Sequence, residues 1–147
     1  MGGANNRTPD VFMGSAADLA HHGWFVGHFM NECPPLQSDA VEVKWSVYTG
    51  GEERAGWVAN RVATTLAVLV RGRFRLLFPD REAALQNEGD FVSWGPHVPH
   101  SWCADGPAVV LTVRWPSLPE DSYDVTEARS YGGEAQPVDV EHRSASS

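Results

Sequence analysis

Basic clusters, long apolar runs and cysteine are scarce in this chain of 147 residues. No apolar run approaches the roughly 20 residues of a membrane-spanning helix. The opening MGGANNRTPD lacks the basic start and apolar stretch of a secretory signal. The expectation is a soluble cytoplasmic protein with no membrane partner. Two cysteines, Cys33 and Cys103, do not make a disulfide framework, and the sequence leaves open whether they pair. The formal net charge is −8, which argues against a nucleic-acid partner, because such a partner needs a basic stripe to displace counterions. Arg71, Arg73 and Arg75 alternate along one strand and read as a solvated face. Internal repeats are lacking, and so is a linker long enough for a second domain.

What is there suits one folded domain. Hydrophobic residues make up 42% and charged residues 20%, which excludes a fully disordered chain. All six tryptophans fall between Trp24 and Trp115, so the packed region lies near those limits. Ser15 to His22 suits a short helical turn with Ser15 as its N-cap. Gly23 to Met30 reads as a first, aromatic-rich strand, and Cys33-Pro34-Pro35 breaks regular structure. Val41 to Thr49 alternates with period two: Val43, Trp45 and Val47 share one face, and Glu42, Lys44, Ser46 and Tyr48 the other. The apolar face is expected inside, with Trp45 in the core, and the polar face solvated; the alternative is a wet cavity lined by the polar face, with Glu42 as a base.

Trp57 to Arg61 reads as a further short strand. Ala63 to Val70 and Arg73 to Phe78 read as a hairpin turning at Arg71-Gly72. Gly89 to Trp94 leads into a proline turn, His100 to Ala104 resumes extension, and Asp105-Gly106-Pro107 turns the chain into a last strand, Ala108 to Trp115. Many short strands with almost no helical period define an all-β barrel or sandwich. The barrel is placed at residues 11–119, after a loose segment 1–10. Residues 120–147 read as an acidic, largely disordered tail with a short piece packed near Tyr123.

The stretch Gly89-Asp90-Phe91-Val92-Ser93-Trp94-Gly95-Pro96-His97-Val98-Pro99-His100-Ser101-Trp102 resembles the second motif of the cupin superfamily. Gly89, Asp90, Pro96, Pro99 and His100 stand in matching places: Gly89 permits the tight entry, the prolines fix the turn, and His100 points inward. Leu66 to Phe74 looks like the hairpin after the first motif. The resemblance implies a jelly-roll barrel, often paired as a homodimer, around an inner cavity. It breaks at the first motif. Counting back from Gly72, the acidic ligand's place falls near Thr65 and the two histidine places near Val58 to Arg61, where Trp57-Val58-Ala59-Asn60-Arg61 stands. Only His100 remains of a four-ligand metal set. A catalytic metal needs about three protein ligands, so no cofactor is expected; a divalent metal would need His97, His28, Glu42 or Cys103 as well. His97, on the turn, is expected to face solvent.

His100 is the candidate catalytic residue, a general acid/base or else a hydrogen-bonded relic. Arg61, if it points inward, would clamp a carboxylate or phosphate; Asn60 is the alternative occupant if the register slips by one. Trp94 and Trp102 are candidate cavity walls with Tyr48, while Glu42 and His28 are candidate ligand contacts. Arg114 reads as a cation–π or surface partner of the last strand, and Cys103 as a buried thiol. The expected function is metal-independent acid/base chemistry on a small molecule, of isomerase, cyclase, lyase or dehydratase type. The alternatives are a non-catalytic small-molecule-binding cupin and an atypical metal-dependent oxygenase or isomerase.

Overall fold

A computed structural model describes residues 11–18 and 21–126. Eight strands account for nearly all its regular structure: β1 (Trp24–Val26), β2 (Glu42–Tyr48), β3 (Trp57–Asn60), β4 (Thr64–Phe78), β5 (Arg81–Leu85), β6 (Phe91–Trp94), β7 (Ser101–Trp115) and β8 (Ser122–Val125). The helical turn expected before β1 is a 3-10 turn, Ala16–Asp18, whose Ala17 amide donates to Ser15 Oγ at 3.3 Å. Among the described residues no helix is long and apolar enough to cross a membrane.

The two long strands organise the molecule. β4 and β7 pair antiparallel from Thr64↔Trp115 to Leu77↔Ser101. Their register shifts between Leu69/Arg71 and between Gly72/Phe74, and there both strands bend. The first half of β4 pairs with β6, and its second half with β5. The second half of β7 pairs with β2, which carries β1 on its other edge. His100, just before β7, bridges to Val58 of β3, and β3 pairs with β8. Two sheets thus face each other, joined by strands that belong to both, in the expected all-β jelly-roll arrangement. The main core lies between them: Ala67, Leu69, Ala108, Val110 and Trp94 pack on Phe74, Leu76, Phe78, Leu85 and Ala104.

Three expectations are corrected. Arg71-Gly72 is no hairpin turn, and Asp105-Gly106-Pro107 does not end a strand: both lie inside continuous strands, at the bend. Gly72 has φ +93°, and a Cβ there would overlap the Pro107 carbonyl oxygen, so the glycine marks close strand approach as well as backbone conformation. Thirdly, the polar face of β2 is the inner one. Glu42 and Ser46 are buried while Val47 is 63% exposed, and Trp45 sits half-buried on the outer face rather than in the core. The reason is the cavity, which is charged and open to water, so alternation follows its chemistry.

β1 pairs with β2 and stands at the edge of the sheet. The packed piece expected near Tyr123 is β8, beyond residue 119; residues 1–10 and 127–147, where the loose segment and most of the tail were placed, lie outside the described residues. Asp121 anchors β8: its carboxylate accepts from Asn60 Nδ2 at 3.0 Å and from the amides of Val62 at 2.8 Å and Ala63 at 3.2 Å. Cys33 and Cys103 are not joined by a disulfide.

Candidate functional site

Between the sheets lies a cavity of about 260 Å³. One wall is aromatic. Tyr48, Phe74 and Trp102 form a cluster with ring centroids 4.9 to 5.6 Å apart, and Trp94 lies 4.8 Å from the His100 ring. The other wall carries Lys44, Arg54 and Arg114 beside Trp24. A second cavity of about 340 Å³ shares Trp24, Arg114 and Ser122 with the first, and is lined by His28, Glu42, Asn60 and Asp121.

His100 lies where the motif puts it, 2% exposed, its backbone held by two hydrogen bonds to Val58. Its Nδ1 is 3.0 Å from the Val98 carbonyl oxygen. A carbonyl only accepts, so Nδ1 carries the proton and Nε2 keeps its lone pair. Burial pushes the pKa down to about 3, the Val98 hydrogen bond opposes this, and Arg54 and Arg114 lower it further. The ring is neutral at pH 7: a hydrogen-bond acceptor rather than a group poised to exchange protons.

The cations differ in how they are held. Arg114 is locked: Nε donates to Thr65 Oγ1 at 3.1 Å, Nη1 donates to Glu42 Oε2 at 3.1 Å, and Cζ stands 4.9 Å over the Trp24 ring. Arg54 is not: its buried Nη1 has no hydrogen-bond partner among the described residues. Burial lowers the pKa of both guanidiniums, yet arginine stays charged in proteins. Lys44 extends from β2 opposite Thr112 of β7 and Trp24 of β1, with Nζ 5.6 Å from the Trp24 ring. Burial, then Arg54 and Arg114, push its pKa down to about 8. A guanidinium whose buried Nη1 lacks a partner among the described residues, beside two more cations, is an arrangement that can receive an anion.

Of the residues expected at the site, His100, Trp94, Trp102 and Tyr48 share this cavity. Glu42, His28 and Asn60 belong to the neighbouring one. Glu42, 7% exposed, is committed to Arg114 and to the Ser117 hydroxyl, which donates at 2.7 Å. Ser117 Oγ in turn accepts from the His28 amide at 3.0 Å and from its Nδ1 at 2.7 Å. Asn60 donates to Asp121. Arg61 is the correction: it points out of the barrel, Nη1 donating to the Glu120 carbonyl at 3.0 Å and Cζ stacking 4.7 Å from the Tyr123 ring. β3 turns Asn60 inward, so its neighbour must face outward. His97 is exposed as expected, 3.0 Å from the Tyr123 hydroxyl.

Arg54 and the inward role of Arg114 were not legible from strand patterning, which for Lys44 left open which face is inner. One countable signal was: Lys44 is the only lysine among the chain's eleven Lys and Arg residues, and it lies in the cavity.

The residues present do not fit the metal that the resemblance implies. Thr65 stands near the acidic ligand's place, fully buried, and its hydroxyl receives a guanidinium. Among the described residues no group of three or more His, Cys, Asp or Glu is placed to hold a metal ion. His100 alone would face a cation, in a cavity that already holds three positive side chains.

Comparison of the fold with solved structures agrees with the topology. A protein with a double-stranded β-helix domain from Klebsiella pneumoniae superposes with TM-score 0.53 at 15% identity, over 60% of this chain and 76% of that one. A sugar phosphate isomerase of the cupin superfamily from Silicibacter pomeroyi gives TM-score 0.51 at 16% identity, over 59% and 57%. DMSP lyase DddQ from Ruegeria pomeroyi gives 0.53 at 19%, over 64% and 47%. No protein-family model and no curated protein matches the chain. The protein has the cupin fold.

Proposed function

We propose that the protein takes a small organic anion into the cavity and performs acid/base chemistry on it without a metal. One observation carries the reading: among the described residues, Arg54, Arg114 and Lys44 converge on a space whose lining holds no carboxylate, and the buried Arg54 Nη1 lacks a partner. The anion completes that hydrogen bonding, while Tyr48, Phe74, Trp94 and Trp102 enclose its apolar part. His100 Nε2 accepts a hydrogen bond from a hydroxyl or N–H of the ligand. Lys44, with a pKa near 8, takes the proton-transfer role that the sequence suggested for His100. Isomerisation, elimination, cyclisation and dehydration all suit a positioned amine in a partly dry cavity. Two proteins sharing the fold are named as an isomerase and a lyase, which is analogy of fold only. Pairing of two copies belongs to the same proposal; the 63% exposed Val47 on the outer face of β2 supports it, and sedimentation velocity tests it.

Benzoate and inorganic phosphate, titrated by tryptophan fluorescence, test the reading. Removing one charged hydrogen bond costs about 1.5–3 kcal/mol, so Arg54→Met should weaken binding about 10- to 100-fold. Arg54 is the residue to change, because Arg114→Met would strand the buried Glu42. Equal affinity in wild type and Arg54→Met overturns the proposal.

A further inference from the structure

From the placement of the chain's single lysine we infer that Lys44 is a nucleophile that forms an imine with a small carbonyl acid, a molecule carrying both a carboxylate and an aldehyde or ketone. The inference rests on the anion-binding reading and deepens it. The chain places arginines elsewhere for positive charge, and puts its one lysine where two guanidiniums already supply charge. Arginine remains protonated there and has no free electron pair; only lysine offers a neutral amine.

The surroundings favour that amine. Lys44 faces Trp24 on β1 and Thr112 on β7, neither of which is acidic. Among the described residues it forms no ion pair. Of the charged groups nearby, Arg54 and Arg114 oppose its protonation, while Glu42 on its own strand is committed to Arg114 and Ser117. His100 is neutral, Tyr48 has a raised pKa and is neutral too, and His22 borders the outer groove beside the lysine stem. With a pKa near 8, roughly a tenth of the amine is unprotonated at pH 7, against well under a thousandth for an ordinary lysine. Desolvation and adjacent cations are the means by which lysines become carbonyl nucleophiles.

The step balances without a redox partner. The Nζ lone pair attacks the carbonyl carbon and the C–N bond forms. The carbonyl oxygen leaves as water, taking both amine protons, and a C=N bond remains. Arg54 and Arg114 hold the carboxylate meanwhile. Once protonated, the imine draws electrons from the neighbouring carbon, which is what eliminations and isomerisations of carbonyl acids require.

The single lysine makes the test clean, since the α-amino group is the only other amine. The full chain is incubated with 4-formylbenzoate, and in parallel with glyoxylate, under cyanoborohydride, which reduces an imine to a stable secondary amine. Peptide mass mapping then locates the label. Lys44 should be labelled at least tenfold faster than N-acetyl-lysine amide at pH 7. Benzaldehyde, lacking the carboxylate, should react more slowly, and added benzoate should protect. Lys44→Arg should take no label there. If benzoate binds yet both aldehydes label Lys44 no faster than the free amine, the imine is wrong and the anion site stands. If benzoate and phosphate fail to bind at all, both readings fall.

Discussion

Lys44 is expected to titrate near pH 8, and the consequence for stability has a definite sign. The drop from 10.5 to about 8 corresponds to about 3 kcal/mol in favour of the neutral amine. Burial is the leading cause, followed by Arg54 and Arg114. Between those pH values the unfolded chain binds more protons than the folded one. Stability therefore rises with pH through the window, and the group contributes its full penalty below pH 8. Lys44→Met removes the penalty. Relative to wild type, the variant should lose about 3 kcal/mol of its advantage between about pH 8 and about pH 10.5, as urea unfolding at each pH would record. Reductive methylation with carbon-13 formaldehyde gives one lysine resonance, whose midpoint reads the titration directly. Arg54→Met removes one opposing charge. At an effective dielectric of about 20 to 40, two charges several ångströms apart interact by about 1–2 kcal/mol, so the midpoint should rise by about one unit. A wild-type midpoint at 10 or above, or one unmoved by Arg54→Met, refutes the reasoning.

Other expectations follow from neighbouring geometry. His100, held down to about pH 3, is a buried base: the unfolded chain binds its proton first, so stability should fall by about 1.4 kcal/mol per pH unit as pH drops from 6.5 towards 3. His100→Gln should flatten that slope in urea melts, and in the wild-type protein the His100 imidazole carbon resonance should not move between pH 8 and pH 5. Gly72→Ala should cost about 2–3 kcal/mol, since it combines a positive φ with overlap on the Pro107 carbonyl; an unchanged urea midpoint would remove the tight strand approach. Asp121→Ala leaves Asn60 Nδ2 and the Val62 and Ala63 amides without an acceptor, and should cost about 3 kcal/mol while speeding hydrogen exchange at those two amides and along β8.

The fold was legible where turn residues constrain the backbone. Gly89 marked the entry to β6, Pro96 and Pro99 the turn that delivers His100, and alternation in β2 grouped Lys44 with Tyr48 correctly. What alternation does not say is which face is inner: the answer depends on whether the space between the sheets is apolar or charged, a property of residues far apart in sequence. Arg54 lies in a short Glu- and Gly-containing loop with no period to read, and only the fold brings it to the cavity. Arg114 is inward because it pairs with Glu42 across β2 and β7, a long-range register. Arg61 and Asn60 illustrate the opposite limit, since neighbours on a strand face opposite ways and one residue of uncertainty exchanges their roles. Glycine at a bend and glycine at a turn look alike in sequence, which is why Gly72 suggested a hairpin.

The measurement that bears most directly on the central claim is a crystal soaked with 4-bromobenzoate, with the bromine located by anomalous scattering. One bromine is expected between Trp94 and Trp102, with the carboxylate within hydrogen-bond distance of Arg54 and Arg114. Bromine only outside the barrel, together with a divalent metal bound at His100 after a parallel zinc or manganese soak, would contradict it.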